Sequence, residues 1–273
     1  MADDVKPTVR RAYAQIALAD PNDLSMLCCG AASPEKASAA IGYSAEQMEC
    51  VPDGANLGLG CGNPLAMVDV PEGAVVLDLG SGAGFDSFLA AQQVGPAGRA
   101  IGVDMTPEML ARARANAEAG GYTNVEFREG EIESLPVSDA SVDLVISNCV
   151  INLSSDQAQV FREAFRALKP GGRIAISDTI QTVGLPDAVL DSPAAKMACL
   201  SAAVTVEDYA STIAAAGFVS VTIDHRNAYP VELGFEDALA SAITAELDVP
   251  RAVIEAAARS MVSLGVVAVK PLA

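Results

Sequence analysis

The sequence has no tryptophan, one histidine (His225) and only 4% aromatic residues among its 273. Its apolar interior must therefore be built from Ala, Val, Leu and Ile, which the 51% hydrophobic content supplies in quantity. Basic residues are scarce as well. Seventeen Lys and Arg stand against 35 Asp and Glu, for a net charge of −18. Such a surface repels phosphate backbones and anionic bilayers, which argues against nucleic-acid and membrane partners. No apolar run approaches the ~20 residues of a membrane span. The first twenty residues are charged (Asp3, Asp4, Lys6, Arg10, Arg11) and hold no signal-peptide core. The expectation is a cytoplasmic protein. Its six cysteines include no Cys-x-x-Cys pair. With one histidine in the chain, a structural zinc site of the usual four ligands is disfavoured. A disulfide framework is equally out of place in that compartment. The thiols read either as small buried hydrophobes or as reactive groups, and their neighbours must decide.

The chain carries a regular pattern from residue 74 onward. Apolar runs of strand length fall at 74–79, 100–103, 125–128, 142–147 and 173–177, with helix-like stretches at 86–93, 107–119 and 157–168 between them. Strands without polar alternation, each followed by a helix, predict a parallel sheet covered on both faces. Thr106-Pro107-Glu108 reads as a capping hydroxyl before a first-turn proline. Lys169-Pro170-Gly171-Gly172 reads as a helix stop and a sharp turn. Further helices are expected near 194–203 and at 206–216, the latter closed by Gly217. Segments 219–223 and 262–269 are expected to add the last strands to the same sheet. Residues 1–70 form an N-terminal extension, with probable helices at 8–18 and 33–41. Residues 71–273 form the main domain, with helices inserted at about 185–217.

Val75-Val76-Leu77-Asp78-Leu79-Gly80-Ser81-Gly82-Ala83-Gly84 is an apolar strand, an acid and three alternating glycines ahead of a helix. Glycines there permit a tight turn and let a ligand lie against backbone. Asp104 ends the next strand about 20 residues on, where an acid reaches ribose hydroxyls. Dinucleotide enzymes use a similar turn. Against them, the glycines run G-x-G-x-G, and Asp78 suits an ammonium group better than a pyrophosphate.

The stretch from Asp78 to Gly84 resembles motif I of the class I methyltransferases, and Asp104 resembles that family's ribose-binding acid. Gly130-Glu131-Ile132-Glu133-Ser134-Leu135-Pro136 is similar to the segment bordering the adenine. Leu168-Lys169-Pro170-Gly171-Gly172-Arg173 is similar to the turn before strand five. The resemblance implies a Rossmann-like α/β fold with a mostly parallel seven-stranded sheet flanked by helices. It also implies S-adenosylmethionine as cofactor, held by Asp78, Gly80, Ser81, Gly82, Gly84, Asp104, Met105, Glu131, Ile132 and Asn148.

Three cysteines lie where the fold brings ligands together. Cys61 sits in the run Gly58-Leu59-Gly60-Cys61-Gly62-Asn63-Pro64, too rich in glycine to be core. Cys149 directly follows strand four, at the carboxyl end where ligands bind. Cys199 lies in the inserted helical stretch. Three thiolates suit a soft, pyramidal, trivalent acceptor. These segments, with Asp104-Met105-Thr106-Pro107-Glu108-Met109 and Ser147-Asn148-Cys149-Val150-Ile151-Asn152-Leu153, resemble the arsenite methyltransferases. The resemblance implies that Cys61, Cys149 and Cys199 bind As(III), presented as arsenite or its glutathione conjugate. It implies that Cys28 and Cys29 assist by disulfide exchange, with thioredoxin or glutathione as the thiol reductant. Cys199 is followed by Leu-Ser-Ala-Ala where that family leads one to expect a glycine nearby, and Cys50 has no counterpart. The competing reading is methylation of a small organic acceptor, a quinone precursor or a sterol-like lipid, which shares the glycine loop but makes no use of thiols.

Overall fold

The apolar runs become strands of one sheet. The computed structural model describes residues 6–19, 33–181, 204–228 and 261–272. Strands β1 (Val75–Leu79), β2 (Arg99–Asp104), β3 (Val125–Glu129), β4 (Val142–Asn148) and β5 (Leu168–Gln181) pair in parallel. Strands β6 (Val219–Ala228) and β7 (Met261–Val269) complete a seven-stranded sheet in the order β3-β2-β1-β4-β5-β7-β6, with β7 antiparallel to both neighbours. The expected mostly parallel, seven-stranded α/β fold is the one observed. Because β1 and β4 are neighbours while the chain runs outward in both directions from them, their carboxyl ends border the crevice where such sheets bind ligands.

Helices cover both faces. Alternate residues of β1 point to opposite sides. Leu77 and Leu79 join a core with Phe161, Ala164, Tyr209 and Ile213, from α6 (Gln157–Ala167) and α7 (Val206–Ala215). Val76 joins the opposite core with Phe88, Leu89 and Leu110, from α4 (Phe85–Val94) and α5 (Pro107–Ala119). The N-terminal part adds α1 (Lys6–Leu18), α2 (Pro34–Ala40) and α3 (Ala45–Glu49). Its Tyr43, Val51, Ala55 and Leu65 are buried in the same core as Val76 and Phe88. Residues 33–65 are thus packed into the floor of the sheet. Among the described residues, no helix is long and apolar enough to cross a membrane.

Two local expectations are corrected. The segment 169–172 is no free turn: it is a bulge inside β5, between the pairings Val142↔Leu168 and Leu144↔Arg173. Gly171, at φ +79°, makes the bend, and its N–H bonds to the Lys270 carbonyl. Thr106 does precede α5, but its side chain makes no cap hydrogen bond. Instead the Asp104 carboxylate accepts the Thr106 N–H at 2.8 Å. The expected helix around 194–203 lies outside the described residues.

Gly84, ahead of α4, shows how tightly the glycine loop is built. It has φ +96°, and a Cβ on it would lie 2.7 Å from both the Phe127 and Phe88 rings. We expect Gly84→Ala to lose about 1–3 kcal/mol through left-handed strain and overpacking together. Urea unfolding checks it, and an unchanged midpoint would show that the rings move aside.

Candidate active site

The loop after β1 is fixed from below before any ligand arrives. The Gly80 and Ser81 N–H groups both bond to the Val103 carbonyl, at 2.7 and 3.0 Å. The Gly82 N–H bonds to Asp104 Oδ2 at 2.9 Å. Asn116 holds the Ala83 carbonyl from α5 at 3.0 Å. A Cβ on Gly80 would strike Val150 at 2.5 Å, whereas one on Gly82 would meet nothing within 4 Å. Gly82 therefore exposes bare backbone to open space. That space is a cleft open to solvent, about 1260 Å³ with its open mouth included. Ser81 Oγ and Asn56 Nδ2 line it, and both are buried without a hydrogen-bond partner among the described residues. Buried polar atoms are seldom left so, and the natural partner is a ligand.

Acid dominates the floor. Asp78, Asp86 and Asp104 all line the cleft. Asp78 Oδ2 accepts a hydrogen bond from Ser87 Oγ at 2.7 Å, and Asp86 Oδ1 one from the Tyr43 hydroxyl at 2.6 Å. These donors are neutral. Burial, reinforced by the charge on Asp86, pushes the Asp78 carboxyl up to about 8. Burial pushes Asp86 up to about 6, against the pull of hydrogen bonds from Tyr43 and Asn148. Asp104 is raised by burial too, despite the N–H groups of Thr106 and Gly82. Lys6 also lines the cleft, but its ammonium is engaged by Glu131 at 2.7 Å and Glu133 at 3.2 Å. A cationic ligand is what this floor lacks.

The sulfur side begins where β4 ends. Asn148 is the last residue of the strand, and Cys149 follows it at φ +60°, a conformation that costs a non-glycine residue about 1–3 kcal/mol. The Cys149 N–H is held by the Ser177 carbonyl at 2.8 Å, and its side chain lines the cleft. Cys61 is brought to the same strand end, its N–H bonded to Asn148 Oδ1 at 2.9 Å and its carbonyl to Ser263 Oγ. Both thiols are buried. Behind them Asp178 Oδ2 accepts from the Tyr209 hydroxyl at 2.9 Å and from the Asn152 N–H at 3.0 Å. Burial raises Asp178 to about 7. The Tyr209 phenol is raised by burial, then by Asp178, and further by charge on Cys61 and Cys149.

Of the cofactor residues expected from the sequence, the cleft is lined by Asp78, Gly80, Ser81, Gly82, Asp104, Met105, Ile132 and Asn148. Gly84 and Glu131 do not line it: Gly84 packs under two rings, and Glu131 pairs with Lys6 on the rim. Among the cysteines, Cys149 lines the cleft, while Cys61, against the expectation from its glycine-rich run, is a buried core residue at the β4 end that does not line it; Cys28, Cys29 and Cys199 lie outside the described residues. Cys50 is exposed at the end of α3, its thiol on the Gln47 carbonyl. Sequence reasoning missed Asn56, Tyr43 and Asp86. Asp86 follows the glycine loop directly and was open to inference; Tyr43 was not, since it reaches the site only through tertiary packing.

A methyltransferase-domain family model matches residues 71–217. The chain is 52% identical over 196 residues, 72% of its length, to an arsenite methyltransferase of Halobacterium salinarum. It is 45% identical over 157 residues, 55% of its length, to another from Aquipseudomonas alcaligenes. It spans about half the length of these curated relatives, 50% and 45%. Among solved structures it is similar to an arsenic (III) S-adenosylmethionine methyltransferase from Chlamydomonas reinhardtii, with a TM-score of 0.60 and 32% identity. That match covers 86% of this chain and 73% of the other.

The acidic floor has a measurable cost. A carboxyl whose folded pKa is raised binds more protons in the native state than in the unfolded one. Stability then falls as pH climbs from the unfolded value, near 3.9, through the folded value. Asp78→Asn keeps an acceptor for Ser87 and removes that charge. We expect the ligand-free variant to gain about 1 kcal/mol or more at pH 8, and much less at pH 5. Denaturant midpoints at the two pH values check it, and an equal gain at both would contradict the electrostatic account.

Proposed function

The chain belongs to the arsenite S-adenosylmethionine methyltransferase family of class I methyltransferases, and from that membership we propose that it methylates trivalent arsenic held on cysteine thiolates. The observation that carries the reading is the convergence of Cys61 and Cys149 on the end of β4, beside an acidic cleft that wants a cation. Cys199, from helices inserted at about 185–217, supplies the third sulfur in this proposal. The N-terminal extension, 1–70, supplies Cys28 and Cys29. The setting we propose is the cytoplasm, with thioredoxin or glutathione as reductant.

S-Adenosylmethionine fits the cleft on the chemistry of its walls. Asp78 and Asp86 would take its ammonium group and balance its positive charge. Asp104 would face the ribose, Met105 and Ile132 the adenine, and Ser81 and Asn56 would use their idle polar atoms on it. When bound, it supplies an electrophilic methyl group, which the lone pair of arsenic accepts. The protein's task is then placement. Cys61 and Cys149 displace hydroxide from arsenite as water, each thiol proton leaving with a hydroxide. The thiols so fix the pyramid of arsenic with its lone pair toward the cleft. No residue need remove a proton from the nucleophile, since the lone pair carries none. Methyl transfer raises arsenic formally from the trivalent to the pentavalent state. Two electrons from a thiol pair return it, with Cys28 or Cys29 closing a disulfide on Cys61 and the external thiol reopening it. The organic-acceptor reading would require a base for an O–H or C–H proton and would leave Cys61 and Cys149 without a role.

Two measurements test this. Incubation with arsenite, S-adenosylmethionine and a thiol should yield methylarsenicals that depend on all three. Cys149→Ser should reduce them to the enzyme-free blank while S-adenosylmethionine still binds, and full activity in that variant would overturn the thiolate model. Separately, cofactor binding must ionise Asp78 and Asp86, whose ligand-free pKa values are raised. Affinity should therefore rise from pH 6 to pH 8 with net proton release. Calorimetry in buffers of different ionisation enthalpy reads that directly.

A further inference from the structure

The Asn148 side chain bridges the acidic floor and the Cys61 loop. Its Nδ2 carries two hydrogens but faces three acceptors: the Gly62 carbonyl at 2.8 Å, the Tyr43 hydroxyl at 2.9 Å and Asp86 Oδ2 at 3.1 Å. Its Oδ1 takes the Cys61 N–H at 2.9 Å. Tyr43 in turn donates to the other oxygen of the same carboxylate, Asp86 Oδ1, at 2.6 Å. The loop has no slack against this amide, since a Cβ on Gly60 would lie 2.9 Å from Asn148 Nδ2. On its far side the Cys61 peptide is gripped by Ser263 Oγ. Two hydrogens shared among three acceptors leave one acceptor always undersupplied, and which one goes short depends on where Asp86 turns.

We propose that Tyr43 and Asn148 are positioning residues that couple occupancy of the cofactor cleft to the placement of Cys61, so that cofactor and arsenical each tighten the other's binding. A cation in the cleft draws Asp86 Oδ2 toward itself. Asn148 then gives its two hydrogens wholly to the Gly62 carbonyl and the Tyr43 hydroxyl. The Cys61 N–H on Oδ1 and the Gly62 carbonyl on Nδ2 are thereby seated on one amide, and the thiol is held at the β4 end where Cys149 stands. The coupling must run equally in reverse, because binding linkage is reciprocal. Tyr43 keeps Asp86 from swinging free of the network: its own hydrogen stays on Oδ1 while Oδ2 turns. The inference rests on the arsenite reading above and adds an order to it, with the cofactor preparing the site for substrate.

The test is a binding cycle without turnover. Arsenite affinity is measured by calorimetry with and without saturating S-adenosylhomocysteine, which carries the ammonium group. The wild-type chain should bind arsenite about 5-fold or more tightly when the cleft is filled, the lower end of ordinary coupling. Tyr43→Phe should bring that ratio close to one. Hydrogen exchange gives a second reading: protection of the 58–65 backbone should rise on adding S-adenosylhomocysteine in the wild type and stay level in Tyr43→Phe. Should Tyr43→Phe fail to fold, Asn148→Ser removes the shared donor and must abolish the coupling in its place. A ratio retained in a folded variant overturns the proposal. Arsenite that binds and is methylated with no coupling in the wild type overturns this inference alone. A wild-type chain that binds S-adenosylhomocysteine but never arsenite overturns the arsenite reading and this inference with it.

Discussion

Buried carboxyls without a buried cationic partner among the described residues organise the described site. Asp78 and Asp86 stand at the end of β1 and in the first turn of α4, and their hydrogen bonds come from Ser87, Tyr43 and Asn148. All three donors are neutral, so among the described residues these carboxyls are met by dipoles and by no cation. A fold gains nothing from such an arrangement, because desolvating a carboxylate opposes folding. The donors around it recover part of that cost. The remainder is recovered only when a cation enters. The surrounding core, with Phe88, Leu77 and Ile146 fully buried, must be firm enough to bear the charge meanwhile.

The fold was far more legible than the site. Its strands are apolar runs between turn residues, and that signal is local. α5 falls at Pro107–Ala119, as the pattern predicts, because Pro107 opens it and Gly120 follows it. Errors came where a polar residue is buried. β5 runs on through Asp178 and Thr179 to Gln181, past the apolar stretch, since Tyr209 and the Asn152 N–H satisfy the carboxylate there. Lys169 to Gly172 looked like a turn because its composition is that of a turn. The sheet absorbs it as a bulge because Lys270 supplies partners on the other side.

In the site the same division holds. Asp78, Gly80, Gly82 and Asp104 could be read because one loop and one neighbouring strand contain them. Tyr43 could not. It lies 43 residues from Asp86 and 105 from Asn148, and nothing in its own neighbourhood marks it as polar machinery. An aromatic followed by a capping box, Ser44 with Gln47, reads as the start of a short helix, which it also is. Asn148 could be read as a cofactor contact from its place at a strand end. Its fourfold hydrogen bonding appears only in three dimensions.

The two halves of the site suit each other electrically. In the proposed reaction, thiols binding trivalent arsenic would lose their protons and, in the same act, their charge to the arsenic centre, so a loaded sulfur pyramid would be close to neutral. Such a pyramid would add no net charge next to the acidic floor. The same floor holds a sulfonium more strongly than a thioether, so its grip loosens when the positive charge is consumed. Strain at Cys149 completes the arrangement. A residue at φ +60° is held there by the Ser177 carbonyl, which fixes the backbone of Cys149 at the wall of the cleft before any ligand binds.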